Sequence, residues 1–186
     1  MSKTILITGA TSGFGEAMAH VFAAAGNKLI ITGRKESLLL ALKETLVAKH
    51  NASVHTLCFD VQNKEAVFAA IKTIPDNFSS IDVLINNAGL ALGRDAFQDA
   101  NLDDWETMID TNVKGLLYVS KAVLPLLIHN KKAHIINIGS TAGVEVYKEG
   151  NVYCASKHAV AAISKSMRID LLPQHITVTA IHPGAA

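Results

Sequence analysis

Cysteine is nearly absent from this chain of 186 residues: Cys58 and Cys154 are the whole complement, too few for a disulfide framework. Both read as reduced thiols of a cytoplasmic protein, Cys58 inside a run expected to form a buried strand and Cys154 beside Tyr153. A surplus of either charge is also missing. Seventeen basic residues stand against sixteen acidic ones for a net +1, so the basic footprint required by nucleic acid or an anionic membrane surface is excluded. No apolar run approaches membrane-spanning length, and the amino terminus carries neither a long apolar region nor a cleavage signature. The eight histidines are scattered without zinc-ligand spacing, which argues against a metal site. Linkers, repeats and low-complexity segments are lacking as well, so residues 1–186 read as one domain. Small molecules remain as the expected partners.

What the chain does have is apolar content, 49% of its residues, enough for a sizeable core. Branched runs alternate with longer amphipathic segments. Thr4 to Thr8, Lys28 to Thr32, Val54 to Phe59, Val83 to Asn86, His134 to Ile138 and Thr177 to Ile181 read as six strands. Between them Glu16 to Ala25, Ser37 to Lys49, Lys64 to Lys72, Leu102 to His129 and Val152 to Leu172 have the length of crossover helices. The runs Ile5-Leu6-Ile7, Leu29-Ile30-Ile31 and Ile135-Ile136 show no polar alternation, as strands covered on both faces require. The fold class is therefore α/β, a doubly wound parallel sheet of the Rossmann type. Pro125 inside the fourth long helical segment is expected to kink or weaken it, because it removes a backbone donor.

After the first strand comes Thr8-Gly9-Ala10-Thr11-Ser12-Gly13-Phe14-Gly15, with a helix opening from its end. Backbone N–H groups and a helix dipole converge there, a cradle for a diphosphate. The glycine spacing departs from Gly-x-Gly-x-x-Gly, and no Gly-Lys-Ser or Gly-Lys-Thr follows, which excludes a Walker-type loop. Gly9, Thr11, Ser12, Gly13, Phe14 and Gly15 are the candidate cradle residues. The second strand ends at Thr32-Gly33-Arg34-Lys35, where an NAD site places an acidic group against the ribose hydroxyls. Here the place is basic. A guanidinium matches a phosphate through two parallel hydrogen bonds, so Arg34 with Lys35 points to the 2'-phosphate of NADP. Glu36 leaves some use of NAD open.

Tyr153 and Lys157 stand four residues apart in a helical segment and so share a face. A free tyrosine titrates at about 10, and a neighbouring cation that lowered it by about 3 units would supply roughly 4 kcal/mol of differential stabilisation. Such a phenol is a proton-transfer catalyst in outline.

With Asn86-Asn87-Ala88-Gly89 after the fourth strand, Asn112, Gly139-Ser140 after the fifth strand and Pro183-Gly184 after the sixth, the chain resembles the short-chain dehydrogenase/reductase family over its whole length. The resemblance implies Tyr153 as general acid/base, Lys157 as the group that lowers its pKa and bonds the nicotinamide ribose, and Ser140 as the holder of the substrate oxygen. Asn112 would bind a relay water through its backbone. Asp60 and Val61 would face the adenine, Asn87 the adenosine ribose side, and Pro183 and Gly184 the nicotinamide; for Asp60 a helix-cap or turn role is the alternative. A narrower likeness, in Asn87 to Gly93, Asp104 to Asn112 and His134 to Gly143, is to NADP-dependent 3-hydroxy acid dehydrogenases, the branch with serine and allo-threonine dehydrogenases. It implies a small hydroxy or oxo acid as substrate. An oxoacyl or general carbonyl reductase, or an NADP-binding protein without turnover, are the alternatives. Lys148 is the nearest cationic candidate for the acid group, with plain solvation as its other reading.

The family continues past Pro183-Gly184 through a substrate loop, a helix, a seventh strand and a tail, whereas this sequence ends at Ala186. The chain is thus expected to be truncated relative to the family, with the edge of its sixth strand exposed. A homo-oligomer, dimer or tetramer, is expected for the complete protein.

Overall fold

The computed structural model describes residues 2–130 and 132–184. Strands β1 (Thr4–Ile7), β2 (Lys28–Gly33), β3 (Val54–Cys58), β4 (Val83–Asn86), β5 (His134–Ile138) and β6 (Thr177–Ile181) form one sheet in the order β3-β2-β1-β4-β5-β6, with every pairing parallel. Because strand side chains alternate, each apolar run feeds two cores. Ile5, Ile7, Leu29, Ile31 and Ile85 face one cluster with Ala19, Ala23, Leu39, Leu42 and Leu46 from helices α1 (Gly13–Ala24) and α2 (Glu36–His50). Leu6, Ile30, Leu84 and Ile135 face the other, with Val67 and Ile71 of α3 (Lys64–Lys72) and Val119, Val123 and Leu127 of α5 (Leu116–Ile128). Each such Leu or Ile, fully buried, contributes about 1.5–3 kcal/mol.

The chain leaves β1 for β2 and β3 on one side, then crosses to β4 on the other. Neighbouring crossovers thus diverge at the carboxyl ends of β1 and β4, and a crevice opens there, the usual ligand position in such sheets. The glycine-rich turn and the Asn86-Asn87 pair meet at that place.

The fourth long helical segment has more structure than its periodicity shows. Helix α4 (Leu102–Ile109) passes into a π-helical stretch over Asp110–Gly115 and then into α5. Against expectation, the joined segment Leu102–Ile128 is long and apolar enough to cross a membrane by length and composition alone. Its apolar side chains Met108, Leu116, Val119, Val123 and Leu127 are buried, so that content serves the domain core. Pro125 lies within α5, and the helix runs on to Ile128.

Cys58 requires a correction. Its run does form a strand, but β3 is at the sheet edge, and Cys58 is exposed while Cys154 is buried. Helix α6 (Asn151–Asp170) carries Tyr153 and Lys157 back over the other half of the sheet, where β6 is the opposite edge.

Candidate active site

Thr8 and Asn87 pin the crevice at the strand crossing. Thr8 Oγ1 accepts from the backbone N–H groups of Asn87 at 3.0 Å and Ala88 at 2.9 Å. Asn87 Nδ2 returns two bonds, to Thr8 O at 2.9 Å and Gly9 O at 3.0 Å. The turn held this way passes through left-handed backbone at Gly9 and Gly13, with φ of 61° and 54°, a region other residues enter only with strain. Gly15 answers a different demand. A Cβ there would collide with the carbonyl oxygen of Gly9 and lie 2.6 Å from Asn87 Nδ2, so its glycine allows α1 to begin directly against the turn. Ser12 is the N-cap of α1, yet its side chain makes no capping bond, and the first-turn N–H groups have no partner within the helix.

From this turn a cavity of about 430 Å³ runs to Tyr153 and Lys157. Of the candidate residues, Gly9, Thr11, Ser12, Gly13, Phe14, Arg34, Asp60, Val61, Asn87, Ser140, Tyr153, Lys157, Pro183 and Gly184 all line it. Three of the cofactor and catalytic candidates stand outside the lining. Gly15 supports the turn from behind, Lys35 occupies the N-cap position of α2, and Asn112 is buried one layer deeper. Sequence reasoning missed Gly33, Leu90, Ala91 and Thr111 among the wall residues. Leu90 and Ala91 carry no chemical signature, but they directly follow the Asn-Asn-Ala-Gly motif.

At the far end, Lys157 Nζ donates to Ile138 O at 3.1 Å and lies 5.8 Å from the centre of the Tyr153 ring. The pair therefore does share a helix face. Lys157 is only 7% exposed, and burial pulls its pKa from 10.5 down to about 8, since a low-dielectric setting disfavours the ammonium. Ser140 caps a short turn at Thr141–Gly143, its Oγ accepting from Ala142 N at 3.2 Å. The hydroxyl proton is not used in that bond and can be donated into the cavity.

Asn112 is in the π-helical stretch, and its side chain is fully engaged: Oδ1 accepts from Leu90 N, and Nδ2 donates to Leu90 O and to Ser156 Oγ. Its contribution through side-chain contacts was not legible in the sequence. At the nucleotide end, Arg34 Nη1 lies 3.7 Å from Asp60 Oδ2, while Asp60 Oδ1 accepts from Gln62 N at 3.0 Å. Asp60 is thus both a turn residue and a wall residue. Tyr147, whose ring packs against Gly150, has its pKa pushed up, first by partial burial and then by Cys154 and Tyr153, with Arg94 opposing. Lys148 does not line the cavity; it is almost wholly exposed and lies 3.6 Å from Glu149. Among the described residues no group of three or more His, Cys, Asp or Glu side chains is gathered as a metal site requires.

Such an arrangement can hold an anionic dinucleotide along the crevice and place a proton-carrying phenol and a hydroxyl donor at its end. The NADP-dependent 3-hydroxy acid dehydrogenase YdfG of Salmonella typhi is 48% identical over 180 residues, 97% of this chain and 71% of that protein. Sulfoacetaldehyde reductase 2 of Chromohalobacter salexigens is 48% identical over 187 aligned positions, 100% of this chain and 73% of that protein. The closed form of serine dehydrogenase complexed with NADP+ superposes with a TM-score of 0.90 at 46% identity, covering 97% of this chain and 71% of that one. The short chain dehydrogenase model matches residues 3–186, and with the crevice, the glycine turn and the Tyr153–Lys157 face this chain belongs to the short chain dehydrogenase family of oxidoreductases.

Proposed function

We propose that residues 1–186 are a single dinucleotide-binding catalytic domain that binds NADP and interconverts a hydroxyl and a carbonyl on a small acid whose anionic group is one carbon away from the reacting carbon. The observation that carries this reading is the single cavity bounded by the glycine turn and Arg34 at one end and by Ser140, Tyr153 and Lys157 at the other. NADP fits the residues present. Ser12, Gly13 and Phe14 line the cavity where α1 begins, with first-turn N–H groups that have no helical partners, and Arg34 offers a cation just past the end of β2. Bound there, the cofactor supplies or accepts the hydride. Every other part of the reaction falls to the chain itself.

Tyr153 passes a proton between its phenolic oxygen and the substrate oxygen. The Lys157 ammonium, held by Ile138 O, stabilises the negative charge that grows on the phenol as the proton leaves. Ser140 donates its hydroxyl proton to the substrate oxygen and so stabilises charge developing there. Leu90 and Ala91 line the cavity and help exclude water from the reacting end. Asn112 keeps that wall in place.

Two relatives support the substrate class. One is named for 3-hydroxy acids and another for sulfoacetaldehyde, and in both compounds one carbon separates the reacting carbon from an anion. A 3-hydroxy acid such as serine or allo-threonine is our first choice, and sulfoacetaldehyde is the second reading that the equally similar relative favours. We further infer a cytoplasmic homo-oligomer, dimer or tetramer, supported by two free thiols and by exposed Leu102, Leu117, Ile128 and Ile169 on α4, α5 and α6.

The test is to titrate NADPH into the purified protein and then assay a panel of 3-hydroxy acids, sulfoacetaldehyde and uncharged aldehydes, with Tyr153→Phe as control. Turnover should fall by about 100- to 10,000-fold in that variant while NADPH binding persists. Equal rates on charged and uncharged substrates would remove the acid-substrate reading.

A further inference from the structure

Resting on the NADP reading above, we propose that Asp60 tunes cofactor selectivity by holding Arg34 back from the 2'-phosphate, making it a specificity-determining residue that lowers the affinity for NADP relative to that for NAD. Two facts define the arrangement. The Asp60 carboxylate is fixed by its own turn, Oδ1 accepting from Gln62 N at 3.0 Å, and its second oxygen faces Arg34 Nη1 at 3.7 Å. Both residues line the nucleotide end of the cavity, whereas Lys35, the other cation of the segment, does not. Among the described residues Arg34 is thus the cation that lines the nucleotide end, and its guanidinium already has a carboxylate neighbour.

The parallel register of the sheet enforces this neighbourhood. Gly33 pairs with Cys58 across β2 and β3, so the residues that follow the two strands emerge side by side. The Arg34 side chain is 63% exposed and that of Asp60 38%. An ion pair this open to water is weak, and a phosphate offers the guanidinium two parallel charge-assisted bonds in its place. Arg34 thus gives up Asp60 when a 2'-phosphate arrives, and the binding equilibrium carries the small cost of that exchange. A cofactor with a free 2'-hydroxyl leaves the pair intact. The Asp60 carboxylate is in effect an internal competitor of the phosphate, which keeps the NADP preference below what Arg34 alone would give.

Asp60→Asn separates the two functions of the residue, since an amide oxygen still accepts from Gln62 N and keeps the turn while the charge on Arg34's neighbour is lost. NADPH and NADH dissociation constants are measured by fluorescence titration at low salt for wild type, Asp60→Asn, Arg34→Ala and the double variant, with thermal melts to establish folding. In Asp60→Asn the ratio of NADPH to NADH affinity should rise about two- to five-fold, the size of a surface ion pair, the ratio cancelling any contact of Asp60 with the part common to both cofactors. In the Arg34→Ala background the same substitution should leave that ratio unchanged. An unchanged or reduced ratio in Asp60→Asn overturns the inference. So does an equal gain in the Arg34→Ala background, because that would be direct repulsion between carboxylate and phosphate. If wild type binds neither cofactor, the NADP reading falls, and this inference with it.

Discussion

The side chain of Asn112 closes both hydrogen bonds available to the backbone of Leu90. Oδ1 accepts from Leu90 N at 2.9 Å, and Nδ2 donates to Leu90 O at 2.8 Å. An amide side chain here does what a neighbouring strand would do for an extended residue. It fixes the cavity wall beyond the Asn-Asn-Ala-Gly motif to the π-helical stretch, and through Ser156 Oγ, at 3.0 Å from Nδ2, to helix α6. An asparagine inside a helix is intrinsically unfavourable, and these tertiary bonds offset that cost.

Asn112→Ala should therefore lower stability and activity together. It leaves the Leu90 N–H and C=O without their partner, at about 1–3 kcal/mol for each group that stays buried and unpaired. A drop in Tm of about 2–4 °C for each kcal/mol lost is expected, with reduced kcat from a loosened wall. A thermal melt coinciding with wild type would show that water replaces the clamp at no cost.

The six strands, the glycine turn and the Tyr153–Lys157 face were legible in the sequence because each is local: a run of branched residues, a turn, an i,i+4 pair. What required the folded chain were relationships across the sheet. Cys58 looks like an interior strand residue until the strand order puts β3 at the edge. Arg34 and Asp60 become neighbours only through the β2–β3 register. The π-helical stretch at Asp110–Gly115 interrupts a segment whose apolar spacing reads as one helix, since an i→i+5 turn has no residue signature of its own. Adjacency pairs Lys35 with Arg34, yet successive residues diverge as the chain turns into α2, and of the two Arg34 lines the cavity.

Lys157 gives the protein a pH dependence with two opposite faces. Its pKa falls from 10.5 to about 8 on folding because burial disfavours the charged form. Between about 8 and 10.5 the unfolded chain binds a proton that the folded chain does not, so the contribution of this group to stability rises with pH across that window and is constant below it. Activity runs the other way. The ammonium is lost as pH passes about 8, so kcat/KM for carbonyl reduction should decline on that limb. A pH–rate profile checks this, with Lys157→Arg as comparison: its guanidinium remains charged, so its lower rate should show no decline near pH 8. The same alkaline limb in both proteins would assign it to another group.

Ser140 should separate chemistry from stability. Its Oγ accepts a single bond, from Ala142 N at 3.2 Å, at the start of a three-residue turn. Ser140→Ala is expected to cost below about 1 kcal/mol of stability. Loss of its donor to the developing oxyanion should cost about 100- to 1,000-fold in kcat. Comparing Tm and kcat of the variant with those of Asn112→Ala distinguishes a group that acts on the substrate from one that positions the wall. Parallel losses in both variants would place Ser140 with the positioning residues.

Gly89 tests how closely the Asn112 clamp is fitted to its surroundings. A Cβ at this position would lie 3.1 Å from Asn112 Oδ1 and 3.4 Å from Lys157 Nζ. The distance to Nζ is an ordinary van der Waals contact, whereas that to Oδ1 is tighter than side chains normally keep, and Asn112 is held by three hydrogen bonds. The added methyl should therefore push Asn112 Oδ1 or the Gly89 backbone aside by a few tenths of an ångström and loosen the clamp on Leu90, at a strain below about 3 kcal/mol. Because positioning within such margins controls rate, Gly89→Ala should lower kcat by ten-fold or more while the protein stays folded. Its alkaline limb should stay near pH 8, since Lys157 is not forced to move. Circular dichroism melts and the pH–rate profile read the two effects independently, and a variant with wild-type kcat would show that the Asn112 clamp tolerates more freedom than its packing implies.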